Sequence, residues 1–500
     1  MKTILFSAAM IMAAATTHAQ QDLNTAQDAV RYSLDNLTGT ARFRAMGGAF
    51  GAVGGDPSAI NVNPAGSAIL MYNTGTATLS SYNTSNQANF FGTHRNQNDN
   101  TFDLNQIGGF FVFNNNKEDA FMNKFTLGFN YENTQSFENA IGISGVNPTG
   151  SIADYFLRYA NGVGTEGGIT LGTLRNAYFE NLSFIDQQAY LGYNAYAFNP
   201  VSTDDSNTAY TDNSSTNGNR YQDSYIGTSG FNGKVALNFA AQLAKRFYLG
   251  ANLNIHFSDY INNTSFYEDT NNNTGVGLQE LEFNTRRYTY GGGFSLNVGA
   301  IAKVTESVRL GLAYESPTWM RLQDEINQNI SSVSGGISYF TNPGVTMIGD
   351  DYTIKTPSKY TGSAAFVIGK KGLISVDYAM RDYGNTKYTG NRYSVLNDEL
   401  SETLDWAGEL RVGTEWRIKQ LSLRAGYRFQ QSPYKNGTTV GDLNSLSGGL
   451  GFSFGGSRLD LTYAWSQRES DVSTFTPGLT DAARVKSTNN NVVLSYTIDL

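Results

Sequence analysis

Apolar and polar residues alternate with a period of two along most of the chain after residue 74. Phe125, Leu127, Phe129 and Tyr131 alternate with Thr126, Gly128 and Asn130, and Val235, Leu237, Phe239, Ala241 and Leu243 alternate with Ala236, Asn238, Ala240 and Gln242. Phe247, Leu249, Ala251, Leu253, Ile255 and Phe257 follow after only Ala244, Lys245 and Arg246, which requires a tight antiparallel hairpin. The pattern recurs at 290–302, 308–314, 360–368, 374–378, 406–416, 421–429, 446–454, 459–465 and 492–500, and less strongly at 76–82 and 107–113. That predicts about fourteen strands, an even number as bacterial membrane barrels require.

A water-soluble sandwich also alternates, so the connections decide the class. Very short ones (Lys245-Arg246, Thr305-Glu306-Ser307, Lys370-Lys371-Gly372, Lys419-Gln420, Gly455-Gly456-Ser457) take turns with long polar ones at 259–284, 315–359, 381–404 and 467–491. Short periplasmic turns alternating with long extracellular loops are the mark of a transmembrane antiparallel β-barrel. The last strand, Val492 to Leu500, alternates to the final residue, and an open edge in lipid would leave backbone groups unsatisfied, so it must pair with the first. The expected fold is all-β: an outer-membrane barrel occupying 74–500, in a Gram-negative cell envelope.

One connection, 134–230, is far longer than a loop needs to be and is read as a partly helical extracellular insertion. Ile152, Tyr155, Phe156, Tyr159 and Val163 fall at helical spacing, as do Leu174, Ala177, Tyr178, Leu182, Ile185 and Ala189. Phe179, Phe184, Tyr190, Tyr193, Tyr196 and Phe198 add more aromatic surface than two small helices need. Two readings are open: a self-packed subdomain with its own small core, or an apolar surface that captures hydrophobic ligands through Tyr155, Phe156, Tyr159, Tyr178 and Phe179.

Ahead of the strands, residues 47–66 are glycine-rich and almost uncharged. Asp56-Pro57 and Asn63-Pro64 each put a capping side chain before a proline suited to the first helical position, predicting two short helical turns on glycine hinges. Residues 20–73 are read as a hatch inside the barrel, having nowhere else to go, with Gly47, Gly48, Asn63, Pro64 and Ala65 as its gate elements. The first residues read as a signal peptide over 1–19: Lys2, an apolar stretch at 4–15, and Thr17-His18-Ala19 before the cleavage point.

Composition agrees with this. The 500 residues include no cysteine, only 16% charged side chains, 53 glycines, 30 tyrosines and 30 phenylalanines. Sparse charge with many aromatics fits lipid-facing strands, and a net charge of −8 argues against nucleic acid as a partner. Beyond the leader only His94 and His256 remain, in no metal-ligand spacing, so neither a catalytic site, a metal site nor a cofactor is expected. No G-x-G-x-x-G or following Lys-Ser/Thr makes the glycine stretch a phosphate loop.

Asn63-Pro64-Ala65, with Met46-Gly47-Gly48-Ala49-Phe50 and Gly55-Asp56-Pro57-Ser58-Ala59 before it, resembles the hatch of the outer-membrane hydrophobic-compound channels of the FadL/TodX type. Leu310-Gly311-Leu312-Ala313-Tyr314-Glu315-Ser316-Pro317-Thr318-Trp319 is similar to a strand end of that family. The resemblance implies a monomeric plugged barrel that passes long-chain fatty acids or other hydrophobic small molecules without energy input. Outer loops would hold the ligand first, and a hatch movement with a break in the wall would release it sideways into outer-membrane lipid. Two other roles are open: a plugged barrel serving as a scaffold in a secretion or outer-membrane complex, and a diffusion porin.

Overall fold

The computed structural model describes residues 24–115, 117, 120–163, 167–214 and 218–500. The expected signal peptide and the first residues of the expected hatch lie outside these. Fourteen long strands make the wall: β1 (Thr74–Phe90), β2 (Thr93–Asn114), β3 (Met122–Ser136), β4 (Arg220–Leu243), β5 (Phe247–Asp269), β6 (Leu278–Lys303) and β7 (Val308–Glu315), then β8 (Lys359–Ile368), β9 (Gly372–Asp382), β10 (Trp406–Ile418), β11 (Leu421–Gln430), β12 (Leu443–Ser453), β13 (Ser457–Ser473) and β14 (Ala482–Asp499). Each pairs antiparallel with the next. β14 closes on β1 from Thr74↔Asp499 to Asn89↔Arg484. The sheet is a closed antiparallel barrel, so no ladder group is left on an open edge.

The outward set is apolar and exposed, and the inward set is polar and buried. On β5 and β6, Leu249, Leu253, Ile255, Leu296 and Val298 face out, while Asn252, Asn254, Ser295 and Asn297 are buried in the bore. A water-soluble protein puts these classes the other way round. Here the surrounding solvent is hydrocarbon, and the belt belongs to an outer-membrane barrel.

The wall is taller than the alternation predicts. The expected loop at 259–284 is mostly strand, because β5 and β6 stay paired up to Asp269↔Glu280, leaving only the turn 270–277. Above the bilayer no rule demands apolar side chains outside, so polar residues blur the period while the ladder continues. Strand Trp319–Ser334 takes over as partner of upper β6, from Phe294 to Leu278, because β7 is only 8 residues long.

The long insertion contains strand Asn139–Asn147 and the helices α3 (Ile152–Ala160), α4 (Leu171–Asn176) and α5 (Phe184–Asn194); α1 (Ala26–Arg31) and α2 (Ala41–Ala45) precede the wall. The second predicted helix is broken: Ala177 and Tyr178 are extended, and the Ser183 side chain restarts the helix by accepting from Asp186 N. Ile152, Phe156, Leu171, Leu191 and Phe198 form a core that continues into Phe266 and Phe283 of the wall, seating the insertion on the barrel mouth.

An arginine on the lipid belt at mid-wall costs about 2–4 kcal/mol. Leu253→Arg is therefore expected to lower unfolding free energy by that amount in urea titrations from liposomes. Val276→Arg, at the exposed outer turn, should leave it unchanged.

Candidate functional site

Residues 38–70 are almost entirely buried inside the bore. Two 3₁₀ turns, Pro57–Asn61 and Pro64–Ile69, form where the Asx-Pro pairs predict them: Asp56 accepts from Ser58 N and Asn63 from Ala65 N. Asn63 then does a second job. Its amide donates to Gly51 O at 2.8 Å within the hatch and to Ala300 O of β6 at 3.0 Å, clipping the turn to the wall. The fit requires Gly299 beside it, where a Cβ would collide with Asn63 Oδ1. Pro64 O accepts from Asn238 of β4 at 3.0 Å, and Ala65 is fully enclosed. Gly47 and Gly48 have φ of +61° and +76°, and a Cβ on Gly47 would lie 2.9 Å from Tyr427 O, so both are needed where the hatch meets the far wall.

Ion pairs complete the packing. Arg42 of α2 meets Glu415 at 2.7 Å, and Glu415 also holds Arg424, itself 2.7 Å from Asp460. Glu409 pairs with Arg411 and Arg428 on the wall. Asp35 of the hatch meets Lys359 at 2.8 Å and Arg381 at 3.3 Å. Burial alone would raise the Asp35 carboxyl, but Arg381 and Lys359 outweigh it and hold it well below the ordinary carboxylate range. Asp28 is held low in the same way, against burial, by Arg287 and Arg31.

Between hatch and wall lies a cavity of about 120 Å³. Leu34, Leu37, Phe43, Val62, Phe257 and Met320 give it apolar patches, and Lys234, His256, Glu132 and Arg381 give it polar ones. Asn61 Oδ1 and Asn232 Oδ1 are buried there without a protein partner. Lys234 makes no salt bridge among the described residues.

The cavity abuts a break in the wall. β2 and β3 pair from Asn114↔Lys124 only as far as Gln106↔Glu132. Above that point β3 stays with β4 but leaves β2, and the chain turns inward into Asn139–Asn147, where Asn86 of β1 donates to Asn139 Oδ1 and Ala140 O. Side chains bridge the seam instead of backbone: Asn105 donates to Asn133 O at 3.2 Å and Asn133 to Asp103 at 2.5 Å. The hatch touches the same residues. Gly39 N donates to Asn105 at 2.8 Å, and Thr38 and Asn61 both donate to Glu132. Outside, the apolar belt runs on past the seam through Leu104 and Phe102, which are exposed. No motif flags Asn105, Glu132 and Asn133; the one local sign is a polar run that ends the alternation after Tyr131.

A second cavity, of about 420 Å³, opens at the outer mouth between α3 and the start of the hatch. Tyr155, Tyr159, Phe184, Phe283 and Phe475 line it opposite Thr25 and Ala26. Of the five aromatic residues proposed for capture, Tyr155 and Tyr159 reach this cavity. Phe156 and Phe179 are buried in the subdomain core, and Tyr178 stands 72% exposed on the surface away from it. His256 hydrogen-bonds Ser295 in the bore at 2.9 Å, and His94 lies at the outer end of β2.

Fold and bore together define a plugged outer-membrane β-barrel of fourteen strands. No family model matches the chain, and no curated protein matches it. Among solved structures it resembles a Pseudomonas aeruginosa FadL homologue, at TM-score 0.53 and 14% identity, over 93% of this chain and 99% of that one. It also resembles the Pseudomonas putida toluene transporter TodX, at TM-score 0.51 and 14% identity, over 94% and 100%. The fold is that of the FadL/TodX channels.

Burial separates the predicted capture residues experimentally. Phe156→Ala removes a fully enclosed ring and is expected to cost the outer subdomain about 3–5 kcal/mol, read as faster amide exchange over α3 and α5. Tyr178→Ala should change exchange nowhere.

Proposed function

We propose that the protein is a passive outer-membrane channel for hydrophobic molecules carrying one polar end, long-chain fatty acids among them. The observation that carries this reading is the alignment of the inner cavity, the hatch contacts and the unpaired β2–β3 seam at one height of the wall. A lipid-loving molecule gains nothing from crossing a polar bore lengthwise, and a sideways exit spares it that transit.

Size and polarity support an amphiphile. An apolar cavity of about 150 Å³ takes up benzene, so about 120 Å³ admits a ring or a head group but not a whole acyl chain. A pure hydrocarbon there would leave the buried Asn61 and Asn232 oxygens unmatched, at about 1–3 kcal/mol for each. Both oxygens accept, so a polar end that donates, a hydroxyl or a protonated carboxyl, removes that cost. An ionised carboxylate is met by Lys234 on the cavity wall, and the tail points to the seam.

The steps follow from the contacts. The ligand is first held at the outer mouth by Tyr155 and Tyr159, then moves inward as the hatch shifts. Asn105 and Glu132 bind hatch and seam at once, so a hatch displacement that frees them also loosens the bridge to Asn133. Asn63-Pro64-Ala65 stays clipped to β6 and serves as the pivot.

The chain lacks cysteine, so Asp103→Cys/Asn133→Cys introduces a single disulfide across the seam. Oxidised, this variant is expected to lose uptake of a labelled long-chain fatty acid by at least tenfold, with recovery on reduction. Undiminished uptake through the crosslinked barrel would refute lateral release, and no uptake by the reduced or wild-type protein would refute the fatty-acid reading.

A further inference from the structure

Charge is divided between the two ends of the barrel. The outer end is acidic, with exposed carboxylates such as Asp205, Asp350, Asp398 and Glu402. At the end carrying the short turns and Leu500, cations prevail. Lys245 and Arg246 occupy the β4–β5 turn, Lys370 and Lys371 the β8–β9 turn, and Lys419 the β10–β11 turn. All five are exposed, and among the described residues none of them enters a salt bridge. Beside the β6–β7 turn between them, Lys303 at the end of β6 is already neutralised by Glu306 at 2.5 Å. The free cations thus form an arc along the rim from β4 to β11.

Their height is fixed by their neighbours. Phe247, Val304, Trp416 and Ile418 are exposed apolar residues within two or three positions of these turns, where the lipid belt ends. The turns are too short to carry a side chain far from the bilayer, and lysine and arginine stems lie along apolar surface while their heads reach for the polar layer. An acidic protein partner would have to enter that layer to meet them. The charge needs no such partner, because anionic lipid supplies it in place.

We propose that this arc binds the anionic head groups of phospholipids in the periplasmic leaflet, giving the barrel a shell of selected lipid along β4 to β11. The reading does not depend on what the channel transports.

The test uses the full-length protein, mixed in micelles with equal amounts of phosphatidylglycerol and phosphatidylcholine and examined by native mass spectrometry. Wild type is expected to retain phosphatidylglycerol at least tenfold over phosphatidylcholine. The variant K245Q/R246Q/K370Q/K371Q/K419Q should lose that preference, and a control with outer-end changes, K387Q/K435Q, should keep it. Raising salt from about 0.05 M to about 0.5 M shortens the screening length about threefold and should erode the wild-type preference without any mutation. Equal retention of the two lipids by wild type, or a preference that survives both the five substitutions and the salt, overturns the proposal. Loss of a co-purifying acidic protein in the variant, with lipid preference unchanged, also overturns it and assigns the arc to a protein partner.

Discussion

Hydrocarbon offers a peptide group nothing to bond with. From that one constraint the architecture follows: every strand in the bilayer must have two neighbours, and the last must meet the first. The β14–β1 ladder, running from Thr74↔Asp499 to Asn89↔Arg484, is what turns a sheet into a wall. It also gives the departure of β3 from β2 its meaning. Above Gln106↔Glu132 the side chains of Asn105 and Asn133 stand in for ladder bonds, and the proposed lateral exit rests on that substitution.

Closure creates a polar bore, and the hatch answers it. Its backbone groups and side chains meet wall residues on many strands, among them Asn238, Asn252, Asp377, Glu415, Ser495 and Thr462. Buried ions are costly unless matched, and the chains of carboxylates and guanidinium groups through Glu415 and Glu409 match them. The hatch is consequently held by many modest contacts, with no single lock. The proposed route requires only a partial shift of it, with Gly39 and Thr38 leaving the seam while Asn63 remains on β6.

Much of the wall was legible in the chain because the bilayer imposes period two on the outward face, and Leu249, Leu253 and Ile255 obey it strictly. The two capped turns were legible for a local reason, since Asp56-Pro57 and Asn63-Pro64 carry their own caps. The tall outer wall was not, because the force that writes the period stops at the membrane surface. The broken helix after Leu174 was hidden by apolar spacing that continues through a turn, with Ser183 as the only mark of a restart. Phe156 and Phe179 look like binding residues when counted as aromatics, yet burial decides, and the subdomain needs them for its core. The seam was least visible: Asn105, Glu132 and Asn133 matter only because strands distant in sequence bring them together.

The most direct measurement is native mass spectrometry of the gently extracted protein, identifying what it carries. A channel for amphiphiles is expected to carry one bound molecule per barrel, with a single polar end and an apolar body, displaced by added fatty acid. An empty bore with a large protein partner held in fixed ratio would contradict it and make the plugged barrel a scaffold.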